Sequence, residues 1–131
     1  MKWSLQQLYK YGNNPIPVKA SYDFKKEIED IDDILDITLA NVSGTGINIG
    51  EDRFHFNLHI SVLLYLQDAI TLEAVEFPLE LDITEEYNKF SDDDEARFIE
   101  KNTIELRDVI WENILLEKPI RFVKEEESQK P

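Results

Sequence analysis

Four stretches of the chain alternate apolar and polar residues with a period of two, the pattern of strands buried on one face and hence of an antiparallel sheet. In residues 16–24, Ile16, Val18, Ala20, Tyr22 and Phe24 share one side, while Lys19, Ser21 and Asp23 share the other. Residues 34–44 set Leu35, Ile37 and Leu39 against Asp36 and Thr38. Residues 53–66 place Phe54, Phe56, Leu58, Ile60, Val62 and Leu64 together, and residues 75–83 do the same with Val75, Phe77, Leu79, Leu81 and Ile83. Gly50, Glu51 and Asp52 read as the turn joining the second and third stretches. Pro78 lies inside the fourth and predicts an edge or a bulge, because proline cannot donate to a ladder.

The ends of the chain have helical spacing instead. Trp3, Leu5, Leu8 and Tyr9 fit one face of a short helix with Ser4 as its N-cap, ended by the "GNNP" of residues 12–15. A second helix is predicted to begin near Glu105 or Leu106 and to stop before Pro119. At about 100° per residue, Leu106, Val109, Ile110 and Leu116 form its apolar stripe, with Ile114 at the edge. Trp111 and Leu115 lie off that stripe. Either the N-terminal helix covers them through Trp3 and Leu8, or they form an exposed docking patch.

Residues 25–34 read as a short charged helix or loop, Phe98 and Ile99 as one short strand, and residues 88–95 as a mobile acidic loop. The fold predicted is α+β: a mainly antiparallel sheet of about four or five strands with N- and C-terminal helices packed against it. Residues 1–123 form one domain in this reading, and residues 124–131 a disordered tail.

Composition bears on partners more than on fold. Apolar residues make up 42% of the 131, enough for a core, but 28 Asp and Glu against 14 Lys and Arg give a net charge of −14. That field repels phosphates and argues against direct nucleic-acid binding and against anionic membranes. There is no cysteine, which excludes disulfides, thiolate catalysis and Cys-based metal centres. No apolar run approaches a membrane span and the N-terminus has no signal-peptide core, so the expected location is the cytoplasm.

Candidate chemistry is sparse. His55 and His59 fall on a strand, where a rise of about 3.3 Å per residue separates them by roughly 13 Å, too far to share a zinc ion. With Asn57 between them they read as part of a solvated polar face. The "GTGINIG" of residues 44–50 lacks the spacing of a phosphate loop and reads as structural glycines. Two acidic clusters, Asp30, Asp32, Asp33 and Asp36, then Asp92, Asp93, Asp94 and Glu95, lack the register of a calcium loop. No cofactor or metal is predicted, and no catalytic residue. The candidate partner-binding residues are Asp92, Asp93, Asp94 and Glu95 with Trp111 and Leu115.

Three segments resemble the YceD family of large ribosomal RNA subunit accumulation proteins. They are the opening "MKWSLQQL", the middle "LQDAITLEAVEFPLELDITEEY" and the end "IELRDVIWENILLEKPI". In the last, Glu105, Leu106, Glu112, Leu115, Leu116 and Pro119 fall on the family's pattern of an acidic residue and Leu, then Glu, two leucines and Pro. One departure stands out. Many members carry a C-x-R-C tetrad where this chain has Asp68, Ala69, Ile70 and Thr71, so a metal or redox role for that tetrad cannot operate here.

The resemblance implies a non-catalytic factor supporting accumulation of large-subunit ribosomal RNA and ribosome assembly. Combined with the charge, it points to contact with a basic ribosomal protein or another assembly factor rather than with RNA. Two other readings stay open. One is an acidic nucleic-acid mimic or adaptor unrelated to ribosomes, and the other an enzyme using a carboxylate pair or His55 in a sheet-side pocket.

Overall fold

Long strands dominate the chain. The computed structural model describes residues 1–90 and 96–119. Its larger sheet has six strands: β2 (Ile16–Tyr22), β3 (Ile34–Ile37), β4 (Ala40–Gly50), β5 (Arg53–Gln67), β6 (Ala74–Asn88) and β7 (Arg97–Phe98). They run in the order β2-β4-β5-β6-β7, with β3 pairing β5 beside β4. All these pairings are antiparallel except that of β7, which lies parallel to the end of β6 at Tyr87 and Asn88. A second sheet of two strands joins β1 (Lys2–Ser4) to β8 (Thr103–Glu105). Two α-helices, α1 (Leu5–Tyr9) and α2 (Arg107–Glu117), and one 3-10 turn (Glu27–Asp30) complete the elements of the described residues.

This corrects the expected α+β fold. The protein is mostly β, with sheets of six and two strands in place of a single sheet of four or five between terminal helices. The misleading signal lay at the N-terminus, where Trp3 shares helical spacing with Leu5 and Leu8. Trp3 is in fact a strand residue paired with Ile104, and α1 has 5 residues. A few apolar positions cannot separate a helix from a strand followed by a turn. The cap does form as predicted: Ser4 accepts from the Gln7 N–H, and the Gln7 side chain accepts from the Ser4 N–H.

The alternation in β5 is followed completely. Phe54, Phe56, Leu58, Ile60, Val62, Leu64 and Leu66 are all buried on the inner face. Across from them Leu79, Leu81 and Tyr87 of β6 are buried and Phe77 and Ile83 pack partly against the same core. Glu51 and Asp52 both take positive φ, 57° and 58°, which makes the β4–β5 connection a two-residue hairpin of the type whose twist matches the strands. Residues 34–39 break the predicted alternation. Ile34 and Ile37 are buried, whereas Leu35 and Leu39 are 45% and 52% exposed. A bulge between Ile34 and Asp36 shifts the register and turns Leu35 outward.

Aromatic rings join the inner face to what covers it. Trp3 stacks on Phe56 at 5.5 Å, Tyr87 meets the edge of Phe56 at 5.8 Å, and Phe24 stacks on Trp111 at 5.0 Å. Gly46 of β4 lies under the Phe56 ring, where a Cβ would come within 2.5 Å of a ring carbon. Farther along β4, a Cβ on Gly44 would approach the Asn57 carbonyl oxygen to 2.0 Å. The glycines of "GTGINIG" are thus strand residues that admit close neighbours, and Gly50 alone of the three serves the turn.

Helix α2 seats Val109, Ile110 and Ile114 in the core, with Leu106 buried at its start. It ends at Glu117, two residues before Pro119. Leu116, assigned by its wheel position to the buried stripe, is instead 77% exposed. Ile114, on the other flank of the stripe, takes the buried place in this turn, and Leu116 faces away from the core. Ion pairs from three cations fasten this helix and its flanks: Arg107 to Glu27, Arg97 bridging Glu85 and Glu112, and Lys118 to Asp33 at 2.7 Å.

Candidate functional site

The residues alternating with the core set in β5 and β6 make the outer face of the sheet. On β5 these are His55, Asn57, His59 and Ser61, and directly opposite on β6 stand Glu86, Thr84, Asp82 and Glu80. Residues facing each other across an antiparallel ladder bring their Cβ atoms within about 5 Å, so this register sets imidazoles beside carboxylates. His55 Nε2 lies 2.8 Å from Glu86, which also receives bonds from Arg53 and Asn88. His59 is held from both sides, its Nδ1 2.9 Å from Asp82 and its Nε2 2.7 Å from Glu80. Ser61 donates its hydroxyl to the other Glu80 oxygen.

These contacts shift the titrations in opposite senses. Hydrogen bonds to Asp82 and then Glu80 raise His59 above the ordinary imidazole value. Bonds from Ser61 and His59 lower Glu80, and those from His55 and Asn88 lower Glu86. Both carboxylates thus favour the protonated imidazolium of His59 relative to a free imidazole. Its side chain is 42% exposed, so the pairing is solvent-screened.

The arrangement limits the chemistry open to it. Ser61 bonds a carboxylate and not an imidazole nitrogen, so the order serine–glutamate–histidine–aspartate provides no base to take the hydroxyl proton through His59. Glu80 and Asp82 approach opposite nitrogens of one ring, which rules out a common metal centre for the three. No group of three or more metal-binding side chains converges among the described residues. The hollows beside His59 are open depressions of about 350 Å³ along the β4–β5–β6 surface and about 280 Å³ along the β2–β4–β5 surface.

The candidate residues from the sequence separate into two groups. Asp92, Asp93, Asp94 and Glu95 lie outside the described residues. Trp111 and Leu115 are half-buried and packed against the core. Phe24, just after β2, covers Trp111, and the guanidinium of Arg107 lies 4.8 Å from the other partner of that stack, the Phe24 ring. The cover is thus neither of the two that the sequence suggested, because Trp3 stacks on Phe56 instead.

The histidines lie on the polar face as expected, but their carboxylate partners were missed. The signal was available: fixing the β5–β6 turn at residues 68–73 pairs each histidine with its acid. Asp68, at the first position of the tetrad, was missed too. It is buried, and its carboxylate accepts from the N–H groups of Ile70 and Thr71, which shapes that turn. Leu72 there takes φ of 65°, and Ile70 and Leu72 are exposed at the tip.

One relative was found among known proteins. Over 134 residues the chain is 26% identical to the uncharacterized protein YlbN of Bacillus subtilis (strain 168), covering 99% of this chain and 77% of that protein. No family model matches the chain. No solved structure matches it either. No helix among the described residues is long and apolar enough to cross a membrane.

Proposed function

We propose that this chain is a non-catalytic factor of the YceD type that supports accumulation of large-subunit ribosomal RNA and ribosome assembly in the cytoplasm. It acts by binding a basic protein, either a ribosomal protein or another assembly factor. The observation that carries this reading is the placement of charge. A chain of net charge −14 sets Glu76, Glu80, Asp82 and Glu86 along the outer face of β6, and such a surface attracts cationic partners while repelling phosphates. The resemblance at Glu105, Leu106, Glu112, Leu115, Leu116 and Pro119 supplies the ribosomal context. Glu112 is tied to Arg97 and Leu106 is buried, so much of that element serves to seat α2.

A tagged pull-down from the protein's own cells at low and high salt tests the proposal. Large-subunit proteins or assembly factors should co-purify at low salt and be lost at high salt, with ribosomal RNA only in proportion to them. Absence of every ribosomal component under both conditions overturns it. Reversal of Asp92, Asp93, Asp94 and Glu95 to Lys should weaken the capture chiefly through on-rate and salt dependence. Unchanged capture would remove that segment from the interface.

A further inference from the structure

The β6 strand has two ends that differ in what pairs with them. At Tyr87 and Asn88 its outer edge is taken by β7, and the Ile99 N–H reaches the Asn88 carbonyl at 2.7 Å. From Ala74 to Glu86, among the described residues, β5 alone pairs with it. Two bonds fix which peptide groups point into the gap. Thr38 N–H donates to the Leu63 carbonyl, and Leu63 N–H donates to the Thr38 hydroxyl, so both polar groups of Leu63 face away from β6. Its partner across the ladder is Pro78, which must then point its nitrogen away from β5, where the missing N–H leaves no ladder bond unmade. Even-numbered residues of β6 therefore direct their N–H and C=O groups to the free edge, as the Asn88 carbonyl confirms. Beyond Pro78 these are Glu80, Asp82, Thr84 and Glu86, an edge of about 23 Å from Leu79 to Glu86.

The same four residues carry their side chains on the outer face. Three of them are carboxylates, and each would stand beside every second side chain of a strand added at this edge. A second copy of this chain is disfavoured there, because antiparallel pairing would set Glu80, Asp82 and Glu86 against their own like charges. A strand with Lys or Arg at alternate positions turns that repulsion into attraction, and its other residues would continue the half-buried row of Ile83 and Glu85.

We infer that the β6 edge from Leu79 to Glu86 is a docking site for an extended basic segment of a partner protein, which joins the sheet as an added strand. Backbone bonds to Glu80, Asp82, Thr84 and Glu86 supply the register, and the three carboxylates select for cationic side chains. This deepens the proposed function by naming the surface and the form of the partner, and rests on that partner being basic.

The test uses the full chain and a synthetic peptide of alternating Lys and Val, about ten residues long to span the edge. Binding is followed by calorimetry and by amide shifts along β6. The wild-type chain should bind the peptide, and N-methylation of alternate peptide amides should weaken binding about ten-fold or more by removing strand bonds. Thr84→Pro removes one edge-facing N–H at the same parity as Pro78, and should weaken binding while the circular dichroism stays that of the wild type. The double variant Glu80→Gln, Asp82→Asn should lose affinity at low salt and little at high salt.

No binding, or binding indifferent to N-methylation, overturns the inference, and the N-methyl peptide needs no altered protein. A chain that dimerises and becomes monomeric in Thr84→Pro would assign the edge to a second copy and also overturn it. The pull-down separates this from the broader reading. Ribosomal proteins captured equally by wild type and Thr84→Pro leave the proposed function standing and defeat the edge, whereas peptide binding with no ribosomal capture does the reverse.

Discussion

The two faces of the β5–β6 ribbon come from alternate residues of the same strands, yet they are held by different physics. On the inner face seven consecutive alternate side chains of β5, from Phe54 to Leu66, are buried, and Phe56 touches Trp3, Tyr87 and the bare backbone of Gly46. Its stability comes from area removed from water and from close packing. On the outer face His55, His59, Glu80, Asp82 and Glu86 meet in pairs open to solvent. Such pairs contribute little to stability and leave their charge available to a partner. One face fixes the fold, and the other is free to recognise.

Five substitutions would break or sharpen that contrast. Phe56→Ala should cost most, about 3–5 kcal/mol of unfolding free energy, because it empties the space between Trp3 and Tyr87. Urea unfolding measures it, and a loss below about 1 kcal/mol would show that the inner face is not closely packed there. Gly46→Ala should cost about 1–3 kcal/mol by overpacking, since the new methyl must displace the Phe56 ring. Combining it with a smaller residue at 56 should recover part of that loss, which a purely conformational effect of glycine would not allow.

On α2 the same division is sharpened between Trp111 and Leu116. Trp111→Ala should cost about 2 kcal/mol, less than a fully buried tryptophan, through loss of the Phe24 stack. Leu116→Ala should stay within about 0.5 kcal/mol of wild type. A larger cost at Leu116 than at Trp111 would reverse the assignment of the two side chains.

The smallest effect belongs to the outer face. The His59 value is raised on folding, so its favourable contribution is fully present below the ordinary imidazole value of 6.5 and is lost as pH rises through the raised one. Glu86 behaves oppositely: its lowered value gives a contribution present above the ordinary carboxylate range and lost as pH falls through the folded value. A proton-resonance titration should show His59 above 6.5 in the wild type and closer to it in Asp82→Asn. No movement in that variant would mean that Asp82 does not hold the ring in solution.

Much of the sheet was legible because burial on one face forces alternation. It showed at β2, β5 and β6, and Pro78 correctly marked an edge, since only a free edge tolerates its missing N–H. Elsewhere the local pattern misled. The bulge at Leu35 inverts an apparent alternation, and Trp3 has the spacing of a helix while sitting in a strand. Of the candidate surface, the acidic charge was plain in the sequence, but the seating of Trp111 against Phe24 was not. Those two residues are far apart in the chain, and no local period relates them.

By itself the sequence determined the faces of β2, β5 and β6, the Glu51–Asp52 turn, the Ser4 cap and a charge that favours basic partners. Each depends on neighbours within a few residues, or on a sum over the whole chain. Only the tertiary structure decided that His59 stands between Glu80 and Asp82, that Phe24 covers Trp111, and that among the described residues β5 is the one strand paired with β6 from Ala74 to Glu86. Those facts depend on ladder register and on which distant segments meet. A shift of one residue in register would exchange the two faces of a strand while leaving its local pattern unchanged.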